Sequence, residues 1–230
     1  MKAVILAGGL GTRLKPFTEI IPKPLLPLGE KSVMEIQISS LKQHGFNDIY
    51  VATNYMSEYI EAFLGNGSKY GVNLIFSKET KPLGTCGPLS LLKNELNEPF
   101  VLMNGDILTK LNLSDFYQHS IKNDSFLTIG TKIISTPFRF GNVKTDSNGF
   151  VIDIEEKPEL SFEILAGIYL MKPQIFENIP NNEYFGIDNL IKNLLTKKEK
   201  ISKYQIKEYW LDIGQIEDYS KAKEEVINNF

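Results

Sequence analysis

Short apolar segments alternate regularly with longer amphipathic ones in the first half of the chain, and this alternation constrains the fold more than any other feature. The first segment, Ala3–Leu6, contains only apolar residues and is soon followed by Gly8-Gly9, which is typical of a strand buried on both faces. Helical patterns separate it from further predicted strands at Ile49–Thr53, Asn73–Phe76 and Phe100–Met103. This rhythm predicts a mostly parallel sheet with helices on both faces.

The second half of the chain predicts antiparallel pairing. Asp146–Gly149 is rich in turn-forming residues and lies between Asn142–Thr145 and Val151–Ile154, which is the pattern of a β-hairpin. Buried strands are also predicted at Phe126–Gly130 and Ile164–Leu170. No repeat or low-complexity linker divides the chain. We therefore expect residues 1–230 to form a single α/β domain, a doubly wound and mostly parallel mixed sheet with an inserted antiparallel part.

Helix boundaries are marked at several points. Ser32 is the predicted N-cap of the first helix, and Gly45 follows its end. Further helices are predicted around Leu89–Leu92, Ile187–Leu195 and Ile216–Ile227. In a doubly wound sheet the ligand binds outside the carboxyl ends of the strands, so the loops that follow the strands are the candidate site.

Composition excludes several function classes. The chain has 25 lysines and arginines against 28 aspartates and glutamates, so it lacks the basic excess that marks a nucleic-acid binder. Cys86 is the single cysteine, which excludes an intrachain disulfide, and we interpret it as an apolar filler. No run of about 18 apolar residues could span a membrane, and the N-terminal apolar segment is too short for a signal peptide. We expect a soluble, cytoplasmic enzyme with no membrane or nucleic-acid partner.

The segment that follows the first predicted strand, Leu6–Leu14, has the composition of a phosphate-binding loop. Glycines let the backbone approach a ligand closely, and their N–H groups can hold phosphate oxygens. The glycines of this segment are Gly8, Gly9 and Gly11. Arg13 adds a fork of donors and Lys23 a point charge, whereas Leu14 stands where a dinucleotide-binding G-x-G-x-x-G loop would need glycine. The alternative is an ordinary glycine turn with a surface arginine.

Two aspartates are predicted to meet in the same crevice. Asp106 comes shortly after the strand Phe100–Met103, and Asp212 follows the short segment Tyr209–Leu211. Both carboxylates would then project from the carboxyl ends of strands toward a ligand. Mg²⁺ is commonly held by one or two carboxylates together with substrate phosphates. The alternative for each aspartate is a loop-capping role without a metal.

These motifs together resemble the signature of the sugar-1-phosphate nucleotidylyltransferases, the enzymes that make nucleotide sugars. The match begins with Gly8–Thr18 and Lys23–Pro27, and later segments agree in kind and order at residues 82–85, 104–106, 156–158, 166–169 and 210–214. The resemblance implies a Rossmann-like fold whose inserted antiparallel part binds the sugar. It also implies transfer of a nucleotidyl group from a nucleoside triphosphate to a sugar-1-phosphate, with Mg²⁺ as the cofactor and assembly into a homo-oligomer, as in many relatives.

The resemblance further implies roles for individual residues. Arg13 and Lys23 would act as catalytic cations on the reacting phosphates, and Asp106 and Asp212 would bind Mg²⁺. The nucleotide would be held by Leu6, Ala7, Gly8, Gly9, Gly11, Thr12, Arg13, Lys23, Glu79, Gly84 and Thr85. The sugar phosphate would be held by Asn104, Gly141, Glu156, Lys157 and Gly167. From composition alone, the charged segment 155–158 is equally typical of a solvated turn.

The base is predicted to be guanine. Pro82–Pro88 looks most like the corresponding segment of mannose-1-phosphate guanylyltransferases. Glu79 adds a physical reason, because a carboxylate only accepts hydrogen bonds and guanine presents two adjacent donors, N1–H and the 2-amino group. GTP is therefore favoured, with uridylyl, cytidylyl and thymidylyl transfer as alternatives within the family. The alternative for Glu79 is that it is a solvent-exposed loop acid.

Two interpretations from other classes compete with this one. A GT-A-type glycosyltransferase also binds its nucleotide through aspartates, but it usually carries an Asp-x-Asp pair, whereas residues 104–106 contain a single carboxylate. A non-catalytic nucleotide sensor would have no need of the cations and carboxylates of an active enzyme, and all of them are present in this chain.

Overall fold

The computed structural model describes the backbone of residues 1–229 and the side chains of residues 1–226. Its strands are β1 (Lys2–Leu6), β2 (Pro27–Leu28), β3 (Lys31–Ser32), β4 (Asp48–Thr53), β5 (Asn73–Lys78), β6 (Phe100–Asn104), β7 (Ile107–Thr109), β8 (Leu127–Pro137), β9 (Asn142–Thr145), β10 (Val151–Glu155), β11 (Glu159–Met171), β12 (Ile201–Gln205) and β13 (Trp210–Asp212). Its α-helices are α1 (Val33–Gln43), α2 (Ser57–Leu64), α3 (Leu113–Lys122), α4 (Ile187–Thr196) and α5 (Ile216–Asn229).

A seven-stranded sheet forms the centre of the described chain, in the order β12-β8-β11-β6-β1-β4-β5. β11 runs antiparallel to its neighbours β6 and β8, and the other strands are parallel to one another. From β1 the chain adds β4 and β5 on one side and then β6 on the other. The carboxyl ends of β1 and β6 therefore border the crevice in which doubly wound sheets bind ligands. The predicted Rossmann-like, mostly parallel mixed sheet is confirmed.

Helices cover both faces of this sheet. Along β1, Ala3 and Ile5 contribute to one apolar core and Val4 to the other, because successive side chains of a strand point to opposite faces. Met34 of α1 packs into the first core and Leu190 of α4 into the second. Within residues 1–229, no helix is both long and apolar enough to cross a membrane.

The ends of α1 follow the sequence prediction. The Ser32 hydroxyl accepts a hydrogen bond from the Glu35 backbone N–H at 3.2 Å, and Glu35 Oε2 accepts one from the Ser32 backbone N–H at 2.8 Å. This reciprocal pair is a capping box, which satisfies N–H groups that the first turn of a helix leaves unpaired. Gly45 lies just beyond the helix with φ +84°, a backbone conformation that favours glycine.

The antiparallel part of the second half is longer than predicted. β8 and β11 stay paired as far as Pro137 and Glu159. The strand predicted at Phe126–Gly130 therefore continues well beyond its predicted end. β9 and β10 form the predicted hairpin between them. We call residues 131–165 the arm. Most side chains of the arm are exposed.

One predicted helix has a different geometry. Leu89–Leu92 lies in a 3₁₀-helix, Gly87–Leu92, and not in an α-helix. The N–H of Gly87 donates to the carbonyl of Phe185, and Pro88 has no N–H to donate. The segment is therefore held by an outside partner at its start and makes only the tighter helical turns that short pieces use.

Candidate active site

The candidate site is a crevice between the carboxyl ends of β1 and β6. The Gly105 N–H donates to the Leu6 carbonyl at 2.9 Å, and a Cβ on Gly105 would lie 2.6 Å from that oxygen, so the contact requires glycine. Two cavities of about 240 and 380 Å³ adjoin here, and we call them the first and the second cavity. Both are lined by Leu6, Gly9, Gly105 and Asp106.

The first cavity contains both cations and two of the three glycines, Gly9 and Gly11, that the sequence predicts for phosphate binding, whereas Gly8 lines the second cavity. Arg13 lies in a short 3₁₀-helix, Thr12–Leu14, whose Leu14 side chain is buried in an apolar cluster. Thr18 Oγ1 donates to the Gly11 carbonyl at 2.8 Å and so closes the loop. The full lining is Leu6, Ala7, Gly9, Gly11, Thr12, Arg13, Lys23, Pro24, Gly105, Asp106 and Gly214. A small cavity with this lining can hold a phosphate chain.

Lys23 and Asp106 form an ion pair inside the first cavity. Lys23 Nζ lies 2.5 Å from Asp106 Oδ2, and both side chains are largely buried. The other carboxylate oxygen, Asp106 Oδ1, is buried and has no hydrogen-bond partner among the described residues. Leaving a buried carboxylate oxygen unpaired opposes folding. Asp106 Oδ1 can therefore accept a hydrogen bond from, or coordinate, a further positively charged or donor group.

Asp212 lies next to Asp106 because β7 pairs antiparallel with β13. The Ile213 N–H donates to the Asp106 carbonyl at 3.0 Å, which joins the two aspartate-bearing segments. Partial burial raises the pKa of Asp212 above its usual value, and the charge of Asp106 raises it further, whereas Lys23 and Arg13 lower it. Asp212 is in the lining of neither cavity, but it lies close enough to Asp106 for the two carboxylates to interact, and a cation near both would offset their charge.

The pair of aspartates fits a divalent metal ion. The unpaired Asp106 Oδ1 and the raised pKa of Asp212 both show carboxylate charge that the chain compensates incompletely. No group of three or more Asp, Glu, His or Cys side chains able to hold a metal occurs in the part of the chain that the structure describes. Other ligands would come from substrate phosphates and water, as is usual for Mg²⁺.

The second cavity is lined by the residues predicted to contact the nucleotide base. Glu79 has 8% of its surface exposed, so it is not the exposed loop acid that the sequence left open. Its Oε2 accepts a hydrogen bond from the Leu83 N–H at 2.9 Å, and the Asn54 side chain also hydrogen-bonds to the Glu79 carboxylate. Burial raises the pKa of Glu79 above its usual value, and these hydrogen bonds oppose that rise. Oε1 lies beside Gly8, where a Cβ would come within 2.8 Å of it.

The wall of the second cavity at Leu83–Gly87 is held by Phe185. The Phe185 carbonyl accepts from the N–H groups of residues 86 and 87, and its own N–H donates to the carbonyl of residue 83, at 2.9–3.0 Å. The Thr85 hydroxyl accepts from the first N–H of α4 at 2.8 Å. Gly84 and Thr85 therefore belong to a fixed wall, and Tyr184, which is 71% exposed, adds an aromatic ring to the same cavity.

The residues predicted to bind the sugar phosphate fall into two groups. Asn104 lines the second cavity, and Gly167 packs against it, since a Cβ on Gly167 would lie 2.8 Å from Asn104 Nδ2. The second group lies in the arm. There a Cβ on Gly141 would be 3.1 Å from Glu156 Oε2, and Lys157 has φ +48°. Of the described residues that line the two cavities, none comes from the arm.

Comparison with known proteins shows the family of this chain. The profile of the nucleotidyl transferase family matches residues 2–229. The chain belongs to this family. It is 34% identical to UTP–glucose-1-phosphate uridylyltransferase of Synechocystis sp., over 99% of this chain and 64% of the relative. It is also 34% identical to mannose-1-phosphate guanylyltransferase catalytic subunit beta of Drosophila melanogaster, over 95% of this chain and 60% of the relative.

A solved relative has the same extent as this chain. HddC from Yersinia pseudotuberculosis is 30% identical, with a TM-score of 0.77 over 98% of this chain and 99% of that one, and it was also solved with GMP-PN. By contrast, the chain spans only 60–64% of the length of the two curated relatives. The family predicted from the motifs is confirmed.

The crevice of this nucleotidyl transferase family member also contains residues that the sequence did not single out. These residues are Asn54 and Tyr184, which line the second cavity. Asn54 directly follows β4, so the rule that ligands bind at the carboxyl ends of strands could have identified it. Tyr184 gave no such signal, because it reaches the crevice from the segment before α4.

Proposed function

We propose that this protein transfers the nucleotidyl group of a nucleoside triphosphate to a sugar-1-phosphate, forming a nucleotide sugar and pyrophosphate. The observation that carries the proposal is that Arg13, Lys23 and Asp106 line the first cavity, with Asp212 close enough to interact with all three charges. A second cavity with a buried acid adjoins the first. Family membership supports it, and the two curated relatives are named as nucleotidyltransferases of sugar-1-phosphates.

The nucleophile in this reaction is the phosphate of the sugar-1-phosphate. A phosphate monoester has a second pKa of about 6, so it is already ionised at neutral pH and needs no general base. In agreement, neither His44 nor His119 is among the described residues that line the two cavities. The remaining difficulty is electrostatic, because two polyanions must be held close together and in line.

The cations of the first cavity address this difficulty. The Arg13 guanidinium offers a planar fork for two phosphate oxygens, and the Lys23 ammonium offers a point charge. Backbone N–H groups of the loop 8–12 add fixed dipoles that need no reorganisation during the reaction. Asp106 and Asp212 would hold Mg²⁺, which when bound neutralises phosphate charge and polarises the reacting group.

We assign the sugar phosphate to both groups of predicted residues. Asn104 and Gly167 bound the crevice, while Gly141, Glu156 and Lys157 belong to the arm. The Glu156 carboxylate can accept hydrogen bonds from sugar hydroxyls, and the Lys157 ammonium can bind the phosphate. Because the second group stands apart from the two cavities, this assignment requires the arm to approach the crevice when the sugar phosphate binds.

GTP is the triphosphate that we favour. One curated relative is named as a guanylyltransferase, and HddC was solved with GMP-PN. Glu79 places a buried carboxylate at the second cavity, with Oε2 engaged by the Leu83 N–H and Oε1 beside Gly8. Uridylyl transfer is the main alternative, because the other curated relative is named for UTP; cytidylyl and thymidylyl transfer are the remaining ones.

The proposed chemistry is tested by removing one cation and one carboxylate from the first cavity. We expect Arg13→Ala and Asp106→Asn each to slow pyrophosphate release by at least about 100-fold, because each deletes a charge that acts on the reacting phosphates. Lys15→Ala is the matched control, since Lys15 is an exposed cation of the same loop that pairs with Glu19. Near-normal rates in both site variants would contradict the proposal.

The preferred base is tested by comparing kcat/KM for GTP, UTP, CTP and dTTP. We expect the highest value for GTP in the wild type. Glu79→Gln should reduce the ratio of kcat/KM for GTP to that for the other triphosphates, since it replaces an acceptor-only group by an amide that also donates. Glu58→Gln is the control, because Glu58 is an exposed acid paired with Lys78. A wild-type preference for UTP or CTP would overturn the assignment of GTP.

A further inference from the structure

Gln37 is a buried amide on α1, with 3% of its surface exposed. Its Nε2 donates to the carbonyl of Asn104 at 2.9 Å and to the carbonyl of Ile107 at 2.8 Å. Because both partners only accept hydrogen bonds, the NH₂ end of the amide must face them. One side chain therefore holds the chain on both sides of the turn Gly105-Asp106.

This turn is fixed on its other sides by backbone contacts. The Gly105 N–H donates to the Leu6 carbonyl, and the Asp106 carbonyl accepts from the Ile213 N–H at 3.0 Å. These contacts fix the turn against β1 and against the segment that carries Asp212. Gln37 adds the contact with α1, so the backbone from which the Asp106 carboxylate projects is held from three directions.

The amide oxygen of the same side chain makes no hydrogen bond among the described residues. This atom, Gln37 Oε1, is buried. A buried amide oxygen without a partner opposes folding, and an apolar side chain of the same length would avoid that penalty. The stability of α1 therefore does not account for an amide here, whereas the two bonds to the turn do.

We propose that Gln37 is a positioning residue for the divalent cation. By holding the carbonyls of residues 104 and 107, it sets the direction in which the Asp106 carboxylate projects into the first cavity. This role rests on the proposed function, because it needs a cation between Asp106 and Asp212. Mutating a group that orients a metal ligand through a hydrogen bond typically lowers metal affinity or activity by roughly 10- to 100-fold.

The test measures Mn²⁺ binding to the protein by electron paramagnetic resonance, alone and with a nucleoside triphosphate that supplies the phosphate ligands, and the Mg²⁺ dependence of pyrophosphate release. Gln37→Met keeps the length of the side chain and removes both donors. We expect the Mn²⁺ dissociation constant, and the Mg²⁺ concentration that gives half the maximal rate, each to rise at least about tenfold. A merely structural role would lower the melting temperature without moving either quantity in the folded protein.

Two further variants keep the test decisive. Ile38→Val removes one carbon from the buried residue next to Gln37 on α1 but no hydrogen bond, so it should leave Mn²⁺ affinity unchanged. Gln37→Asn keeps the amide and withdraws it by about 1.5 Å. It should show the same loss of affinity, and it replaces Gln37→Met if that variant does not fold.

Asp106→Asn separates the ways in which the proposal can fail. If the wild type binds Mn²⁺, Asp106→Asn does not, and Gln37→Met binds as tightly as the wild type, Gln37 has no positioning role and the proposed function stands. If Ile38→Val loses as much affinity as Gln37→Met, the effect is a loss of stability and the role is wrong. If the wild type binds no Mn²⁺, the metal site of the proposed function is wrong and this role falls with it.

Discussion

Glu79 carries its carboxylate into a buried position between Gly8, Asn54 and Leu83, and burial raises its pKa there. In the unfolded chain the same carboxyl is solvated and has its usual pKa. The folded state therefore binds the proton more tightly than the unfolded state does. Glu79 costs no stability below its usual pKa, and it lowers the free energy of unfolding as the pH rises through the raised pKa of the folded state.

This argument predicts that Glu79→Gln stabilises the protein in a pH-dependent way. The amide keeps an acceptor for the Leu83 N–H and has no charge to bury. We expect a higher melting temperature than that of the wild type near pH 7, with a difference that shrinks toward about pH 4. Thermal unfolding across this range measures it, with Glu58→Gln, whose side chain is 89% exposed, as the control. A difference that is the same at every pH would contradict the explanation.

The positions of several site residues can be predicted from the sequence, and those of others cannot. Arg13, Asp106 and Asp212 come soon after short apolar segments, and a local pattern is enough to place them at the carboxyl ends of strands. Tyr184 lines the second cavity, and Gln37 bonds to the backbone behind the Asp106 turn, in both cases through tertiary contacts. The Gln37 amide bonds to a carbonyl 67 residues away, and no local pattern specifies such a partner. An amide on the otherwise apolar buried face of a helix was the one available signal.

The capping box at the start of α1 gives a prediction at the scale of a single element. Ser32→Ala removes the hydroxyl that accepts from the Glu35 N–H, which should cost about 1 kcal/mol and lower the melting temperature by roughly 2–4 °C. Ser39→Ala is the matched control, because the Ser39 hydroxyl only bonds back to the Glu35 carbonyl within the helix. We expect no fall for it, since alanine is the better helix former. Equal falls in the two variants would show that the cap has no special role.

The extents of the elements follow from how much of each is buried. β1 and β6 are close to their predicted limits, because their side chains are buried along almost their whole length. The outer parts of β8 and β11 are exposed on both faces, so no alternation of apolar and polar residues marks where these strands end. Burial leaves a pattern in the sequence, and exposed pairing does not.

At the scale of the whole molecule, the site depends on pairing between distant parts of the chain. β7 pairs with β13, and Thr109 Oγ1 donates to a carbonyl 100 residues further along. The Trp210 indole N–H donates to the Ala166 carbonyl at 2.8 Å, which ties β13 to β11. The alternation of strands and helices predicts the doubly wound sheet. It does not predict that β11 enters between β6 and β8, because the apolar pattern of a buried strand carries neither its direction nor its neighbours.

The most direct test of the central claim, nucleotidyl transfer to a sugar-1-phosphate, is to identify the products by mass spectrometry. The protein is incubated with Mg²⁺, each of the four triphosphates, and mannose, heptose or amino-sugar 1-phosphates. We predict one nucleotide sugar per pyrophosphate released, no product with a chelator, and product formation slowed at least about 100-fold in Arg13→Ala. Triphosphate binding without turnover of any pair, as in a sensor, would contradict the account. So would release of a free nucleoside diphosphate from an added nucleotide sugar, as in a glycosyltransferase.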